Sequence, residues 1–208
     1  MIELKPVENL NATVTVPGSK SYTNRALLIA GLTDGECRLE KPLVSDDTKY
    51  MIQALQTFGV PVQEEEGAFI VSGKGGKLCA PEKDIFIGNA GTAMRFLTTF
   101  STLAPGKIRL DGDERMRERP LADLLDCLTQ MGVHAVSVNN SGCPPIDISG
   151  GEVPGGDVQL AGDKSSQYLT SILLSAPYFK NDTCIHIQGD LTSKSYADIT
   201  LDIMKTFG

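Results

Sequence analysis

Three stretches of this sequence combine small residues, hydroxyls and a nearby cation. They are Pro17-Gly18-Ser19-Lys20-Ser21-Tyr22-Thr23-Asn24-Arg25, Gly88-Asn89-Ala90-Gly91-Thr92-Ala93-Met94-Arg95 and Gly162-Asp163-Lys164-Ser165-Ser166-Gln167. Each stands where an amphipathic segment begins. A helix start presents unpaired N–H groups and a partial positive charge, which suits phosphate or carboxylate. Small residues let such a ligand approach the backbone, and arginine adds a planar two-point grip. One such stretch alone reads most simply as an N-cap behind a flexible glycine. Three in equivalent places of a repeated unit predict a single anionic-ligand pocket, because pseudo-symmetry brings equivalent helix starts to the same side.

The densest charge run is Asp111-Gly112-Asp113-Glu114-Arg115-Met116-Arg117-Glu118-Arg119-Pro120. Most of it reads as a solvated loop with internal ion pairs. Arg119 stands apart, since Pro120 is expected to start the next helix and fix its entry. Arg119 is therefore a ligand candidate, whereas Arg115 and Arg117 read as structural. Other motifs fail. Gly18-Ser19-Lys20-Ser21 lacks the order of a Walker P-loop, and Gly73-Lys74-Gly75-Gly76 does not match the dinucleotide fingerprint. His134 and His186 fall in strand-like segments outside any triad or metal pattern, and Ser45-Asp46-Asp47 reads as a helix cap.

The elements that carry these groups repeat. Helical periodicity ending at a glycine recurs at Met51–Gly59, Leu124–Gly132 and Ile199–Gly208, and the three glycines fall at near-equal intervals. Upstream of each lies another helix, expected at Asn24–Leu32, Thr92–Leu103 and Ser166–Ala176. A strand follows it, at Cys37–Glu40, Lys107–Leu110 and Cys184–Ile187. After Gly59 and Gly132 come two short strands, near Val60–Val62 with Ala68–Val71 and near Val133–Val138 with Pro145–Ile148. None follows Gly208, which predicts that the chain is part of a longer protein. Alternating helices and strands make the fold α/β. Residues 2–16 add an alternating stretch through Ile2, Leu4 and Ala12–Val16.

The 208 residues can bury a core without disulfides or metal. A net charge of −7 argues against a nucleic-acid surface, so an anion must be held by a local basic cluster. No apolar run reaches the length of a membrane span, and the first residues do not resemble a signal peptide. Five scattered cysteines without a C-x-x-C pair point to reduced thiols in a cytoplasm, not to a zinc site or disulfide framework.

Taken in order, Pro17–Ser21 with Asn24-Arg25-Ala26-Leu27, Gly88–Arg95, Arg115-Met116 with Glu118-Arg119-Pro120, and Ser165-Ser166-Gln167 resemble the 5-enolpyruvylshikimate-3-phosphate synthases (3-phosphoshikimate 1-carboxyvinyltransferases). The match runs from end to end of the chain and corresponds to the N-terminal half of that family. The resemblance implies one lobe of the enolpyruvyl transferase fold, with three βαβαββ-type repeats around parallel helices (about 17–76, 77–150 and 151–208) and the third incomplete. Residues 17–208 would form the substrate-binding lobe, and residues 1–16 would supply strands to the C-terminal lobe. The implied reaction moves the enolpyruvyl group of phosphoenolpyruvate to the 5-hydroxyl of shikimate 3-phosphate, in the route to chorismate and aromatic amino acids. It needs no metal or organic cofactor.

The same resemblance assigns Ser21, Arg25, Ser165, Ser166, Ser193 and Tyr196 to shikimate 3-phosphate. It assigns Lys20, Asn89, Gly91, Thr92, Arg95, Arg119 and Gln167 to phosphoenolpyruvate, with Lys20, Arg119 and Gln167 nearest the chemistry. The main acid and base residues are expected in the C-terminal lobe, so this chain is expected to bind without full turnover. Phe96 stands where most members carry proline, a position that bears on the inhibitor glyphosate and predicts altered sensitivity. Two alternatives stay open: the related UDP-N-acetylglucosamine enolpyruvyl transferases, and an anion-binding module without catalysis.

Overall fold

A computed structural model describes residues 3, 6 and 8–208. Its first unit runs α1 (Lys20–Leu32), β1 (Asp34–Glu40), α2 (Asp46–Thr57), β2 (Val62–Glu65) and β3 (Ala68–Lys74). The second runs β4 (Ile85–Phe86), α3 (Gly91–Ser101), β5 (Gly106–Asp111), α4 (Ala122–Gln130), β6 (Ala135–Ser137) and β7 (Ile146–Gly150). The third runs β8 (Gly156–Ala161), α5 (Ser166–Ser175), β9 (Thr183–Gln188) and α6 (Lys194–Phe207). Strand order confirms the repeat. The first sheet is β1-β3-β2, the second is β4-β5-β7-β6, and the third is the pair β8-β9. In the first two, the strand after the upstream helix pairs antiparallel with the second strand of the closing hairpin. The parallel strands β4 and β8, which precede helices, supply the leading strand of the βαβαββ pattern in the second and third units.

The upstream helices are the inner ones. Every residue of α3 except Thr92 is buried, whereas α6 buries only Ala197, Thr200 and Ile203. Leu27, Leu28, Leu55, Phe96, Phe100, Leu124 and Ile172 are sealed from solvent within one continuous core. The edge-to-face pair Phe58–Phe100, with centroids 5.2 Å apart, ties the first unit to the second. Where α3 meets α5 the side chains are small and hydroxylated. Ser171 donates to the Arg95 carbonyl at 2.6 Å, so Thr99 must be the donor in its own 2.6 Å bond to Ser171. Small hydroxyls allow close helix approach while leaving no polar atom of this pair unpaired.

Several boundaries differ from expectation. Helix α1 begins at Lys20, four residues early; Thr23 supports the first turn, its N–H and hydroxyl both donating to the Ser19 carbonyl. Pro120 is not the first helical residue; Leu121 is the N-cap of α4. Ser45 does cap α2, in a reciprocal box with Thr48. Ile2 and Leu4 of the alternating stretch lie outside the described residues. Residues 9–19 form no strand here, and Leu10, Val14 and Val16 are exposed.

Candidate functional site

The inner helices direct their starts to one end of the molecule. Helices α1 and α3 have no side chain capping their first N–H groups, and α5 is capped only by Ser165, whose hydroxyl accepts from Gln167 N at 3.2 Å. A cleft of about 370 Å³ opens there, lined by Lys20, Ser21, Arg25, Thr92, Lys164, Ser165, Ser166, Gln167, Thr192, Ser193 and Tyr196. A second cleft of about 500 Å³ is lined by Arg95, Arg119, Pro120, Asp123 and Tyr168, and it shares Lys164, Ser165 and Gln167 with the first. The two form one continuous depression. A larger cavity, of about 800 Å³ between α2 and residues 79–86, contains one cation, Lys83, and no helix start.

Two arginines shape the first cleft and its neighbour. Arg25 is buried, and its guanidinium donates to Thr200 Oγ1 (2.8 Å), the Ser21 carbonyl (2.8 Å), Thr170 Oγ1 (3.3 Å) and the Tyr196 carbonyl (3.3 Å). The rings of Phe96 and Tyr196 lie 5.1 and 5.8 Å from its central carbon. Burial lowers its pKa to about 10, against an opposing contribution from Tyr196. Arg95 is also buried; burial depresses it, Tyr168 counters, and the neighbouring Arg119 depresses it further. Among the described residues its Nε, itself buried, has no hydrogen-bond partner.

Arg119 reaches the start of α3 from the loop before α4. Its Nη1 donates weakly to the carbonyl and side-chain oxygens of Asn89, at 3.3 and 3.4 Å. A Cβ on Gly91 would fall 2.4 Å from that nitrogen, so only glycine lets the guanidinium lie over the helix start. Gln167 Nε2 donates to Thr92 Oγ1 at 3.3 Å, joining the starts of α5 and α3. Lys20 is exposed and pairs with Asp47 at 3.3 Å.

The structure thus brings together Lys20, Ser21, Arg25, Thr92, Ser165, Ser166, Gln167, Ser193 and Tyr196 in the first cleft, and Arg95, Arg119 and Gln167 in the second. Asn89 and Gly91 line neither; they seat Arg119. Sequence reasoning did not single out Lys164, Thr192, Asp123 or Tyr168. Lys164 belongs to a stretch already marked as a helix start, but Tyr168 looked like plain core. Its phenol donates to the Pro120 carbonyl at 2.7 Å and anchors the Arg119 loop. Arg117, read as structural, pairs with Asp111 at 2.9 Å.

Fold and site together define an α/β repeat lobe with a cleft lined by helix starts and cationic side chains. The family model for EPSP synthase (3-phosphoshikimate 1-carboxyvinyltransferase) matches residues 4–208. The chain belongs to that family. It is 44% identical over its whole length to a 3-phosphoshikimate 1-carboxyvinyltransferase of Pseudoalteromonas translucida and 45% identical to one of Shewanella piezotolerans, covering 49% of each. The chain therefore spans about half the length of these curated relatives. Its fold is similar to that of EPSP synthase from Acinetobacter baumannii, with a TM-score of 0.78 and 26% identity over 86% of this chain and 41% of that one.

Proposed function

We propose that this chain is the substrate-binding lobe of an enzyme that transfers the enolpyruvyl group of phosphoenolpyruvate to the 5-hydroxyl of shikimate 3-phosphate, releasing phosphate. The observation that carries the reading is the convergence of three inner helix starts, two of them uncapped, on contiguous clefts with Lys20, Lys164, Arg95 and Arg119 at their walls. Two anionic substrates need two adjoining cationic clefts. Ser21, Ser165, Ser166, Ser193 and Tyr196 hold shikimate 3-phosphate in the first, with Arg25 supplying positive potential beneath them. Lys20, Thr92, Arg95, Arg119 and Gln167 hold phosphoenolpyruvate, with Asn89 and Gly91 setting Arg119.

The role of this lobe is binding, orientation and charge neutralisation. Proton transfers to the enolpyruvyl methylene and from the hydroxyl fall to a second lobe of the same enzyme. Residues 1–16 pair with that second lobe, which accounts for the exposed Leu10, Val14 and Val16. The absence of any helix long and apolar enough to cross a membrane accords with work in the cytoplasm, among the described residues. Phe96 bears on glyphosate sensitivity through Arg25, whose guanidinium it faces, as well as through the start of its own helix.

The test is a titration of the chain with shikimate 3-phosphate and then phosphoenolpyruvate, followed by backbone amide NMR shifts. Saturable shifts at Ser21, Ser165 and Ser166 in the first titration, and at Thr92 and Arg119 in the second, are expected. A folded chain whose amides respond to neither ligand would refute the assignment.

A further inference from the structure

The third unit carries a cluster away from the anion cleft. Asp157 of β8 directly opposes Cys184 of β9, and His186 lies two residues farther along β9 on the same face. One ligand atom from each side chain lies within 4.8 Å of the other two. His186 Nε2 is 2.9 Å from Asp157 Oδ1. Among the described residues no other three His, Cys, Asp or Glu side chains come together in this way. The grouping escaped the sequence because its members come from two strands, so no short spacing marks it.

Thiolate, imidazole and carboxylate are the donors of borderline-soft divalent ions, and magnesium and calcium prefer oxygen alone. Zinc bonds of about 2.0–2.3 Å in a tetrahedron hold ligand atoms about 3.3–3.7 Å apart. From within 4.8 Å the wider separations need to close by about 1.5 Å at most, and the His186–Asp157 pair at 2.9 Å opens slightly; exposed side chains achieve both by rotamer change while the strands stay put. We propose that Asp157, Cys184 and His186 form a zinc-class metal site, completed by water, that clips β8 to β9.

The clip would join the facing strands of the third unit, which run parallel in register from Gly156–Thr183 to Ala161–Gln188. The outer edge of β8 is already held by Gln130 of α4, which accepts from Gln159 N at 2.7 Å and donates to its carbonyl at 3.1 Å. A metal joining Asp157 to β9 would secure the other side of the same strand. Cys184 binds as the thiolate and gives its proton up to solvent, whereas His186 binds as the neutral imidazole with its one proton on Nδ1. Binding therefore tightens as pH rises and fails on acidification.

The experiment is a cobalt(II) titration of the metal-free chain, followed by thiolate-to-cobalt absorption, with zinc competition and thermal unfolding alongside. A saturable band at one equivalent is expected, displaced by zinc and lost in Cys184→Ser. His186→Gln and Asp157→Asn should weaken cobalt binding about tenfold or more, the least that loss of even a supporting group costs a metal site. Zinc should raise the melting temperature of the parent chain and leave that of Cys184→Ser unchanged. Cys37, Cys79, Cys127 and Cys143 remain in every variant. A band that survives Cys184→Ser, the absence of any saturable band, or indifference to both His186→Gln and Asp157→Asn would overturn the proposal.

Discussion

Arg25 and Arg119 serve adjoining clefts in opposite ways. Arg25 is sealed in, donates to α1, α5 and α6, and is faced by two aromatic rings. Arg119 is partly exposed and holds only Asn89, at distances near the limit of a hydrogen bond. One cleft is therefore braced by a guanidinium fixed within the lobe, and the other is walled by a cation held loosely. Under the proposed function, the same charge serves packing in the first case and recognition of an oxyanion in the second.

The largest effect expected from this contrast is on stability. Arg25→Ala removes the guanidinium's hydrogen bonds to Thr170, Thr200 and two carbonyls inside the helix bundle, leaving the Thr170–Thr200 and Thr200–Tyr196 bonds in place. Hydrogen bonds from a charged group contribute about 1.5–3 kcal/mol each, so a loss of about 3 kcal/mol or more is expected. That lowers the melting temperature by roughly 6–12 °C in a chain of this size. Arg119→Ala should leave the melting temperature within about 1 °C, since few contacts hold it. It should instead weaken phosphoenolpyruvate binding about 10–100-fold, as should Gly91→Ala, whose Cβ displaces the guanidinium. Calorimetric titration beside thermal unfolding separates the two effects. An equal loss of stability in Arg25→Ala and Arg119→Ala would erase the distinction.

Phe96 sharpens the same comparison at smaller scale. Its ring is wholly buried against Arg25. Phe96→Leu keeps an apolar helix former but removes the ring face, at a cost of about 1–2 kcal/mol. Shikimate 3-phosphate affinity should fall while phosphoenolpyruvate affinity holds. Phe96→Tyr should restore most of the loss, and a failure to do so would mean that packing alone explains the position.

The repeat, the α/β class and the helix starts were legible in the sequence because each rests on local periodicity and small residues. The division of labour between the arginines was not. Arg25 follows a glycine- and hydroxyl-rich stretch and Arg119 ends a charge run, and nothing local tells that the first is buried among Phe96, Tyr196 and Thr200 while the second is left partly open. Tyr168 was illegible for the same reason: its phenol meets Pro120, distant in sequence, and helical spacing reports only that the side chain faces inward. Strands β4 and β8, implied by the resemblance's βαβαββ repeat, escaped the residue pattern because one has only two residues and the other opens on a glycine.

The smallest effect concerns the loop that carries Arg119. Asp111 accepts from Arg117 at 2.9 Å and from the Gly112 N–H at 2.8 Å. The Arg117 hydrogen bond holds the Asp111 carboxyl below its ordinary value of 3.8, with burial opposing and Gly112 assisting. A carboxyl whose pKa is depressed by folding stabilises fully above its unfolded value and loses that contribution as pH falls through the folded one. Arg117 is exposed, so solvent screening limits the gain to about 1 kcal/mol or less. Asp111→Asn should therefore lower the urea midpoint slightly at neutral pH, with the difference from the parent vanishing once acidification protonates the folded carboxyl. A difference of equal size at neutral and acidic pH would show that the asparagine acts through shape and not charge. The tether of Arg119 would then owe nothing to this ion pair.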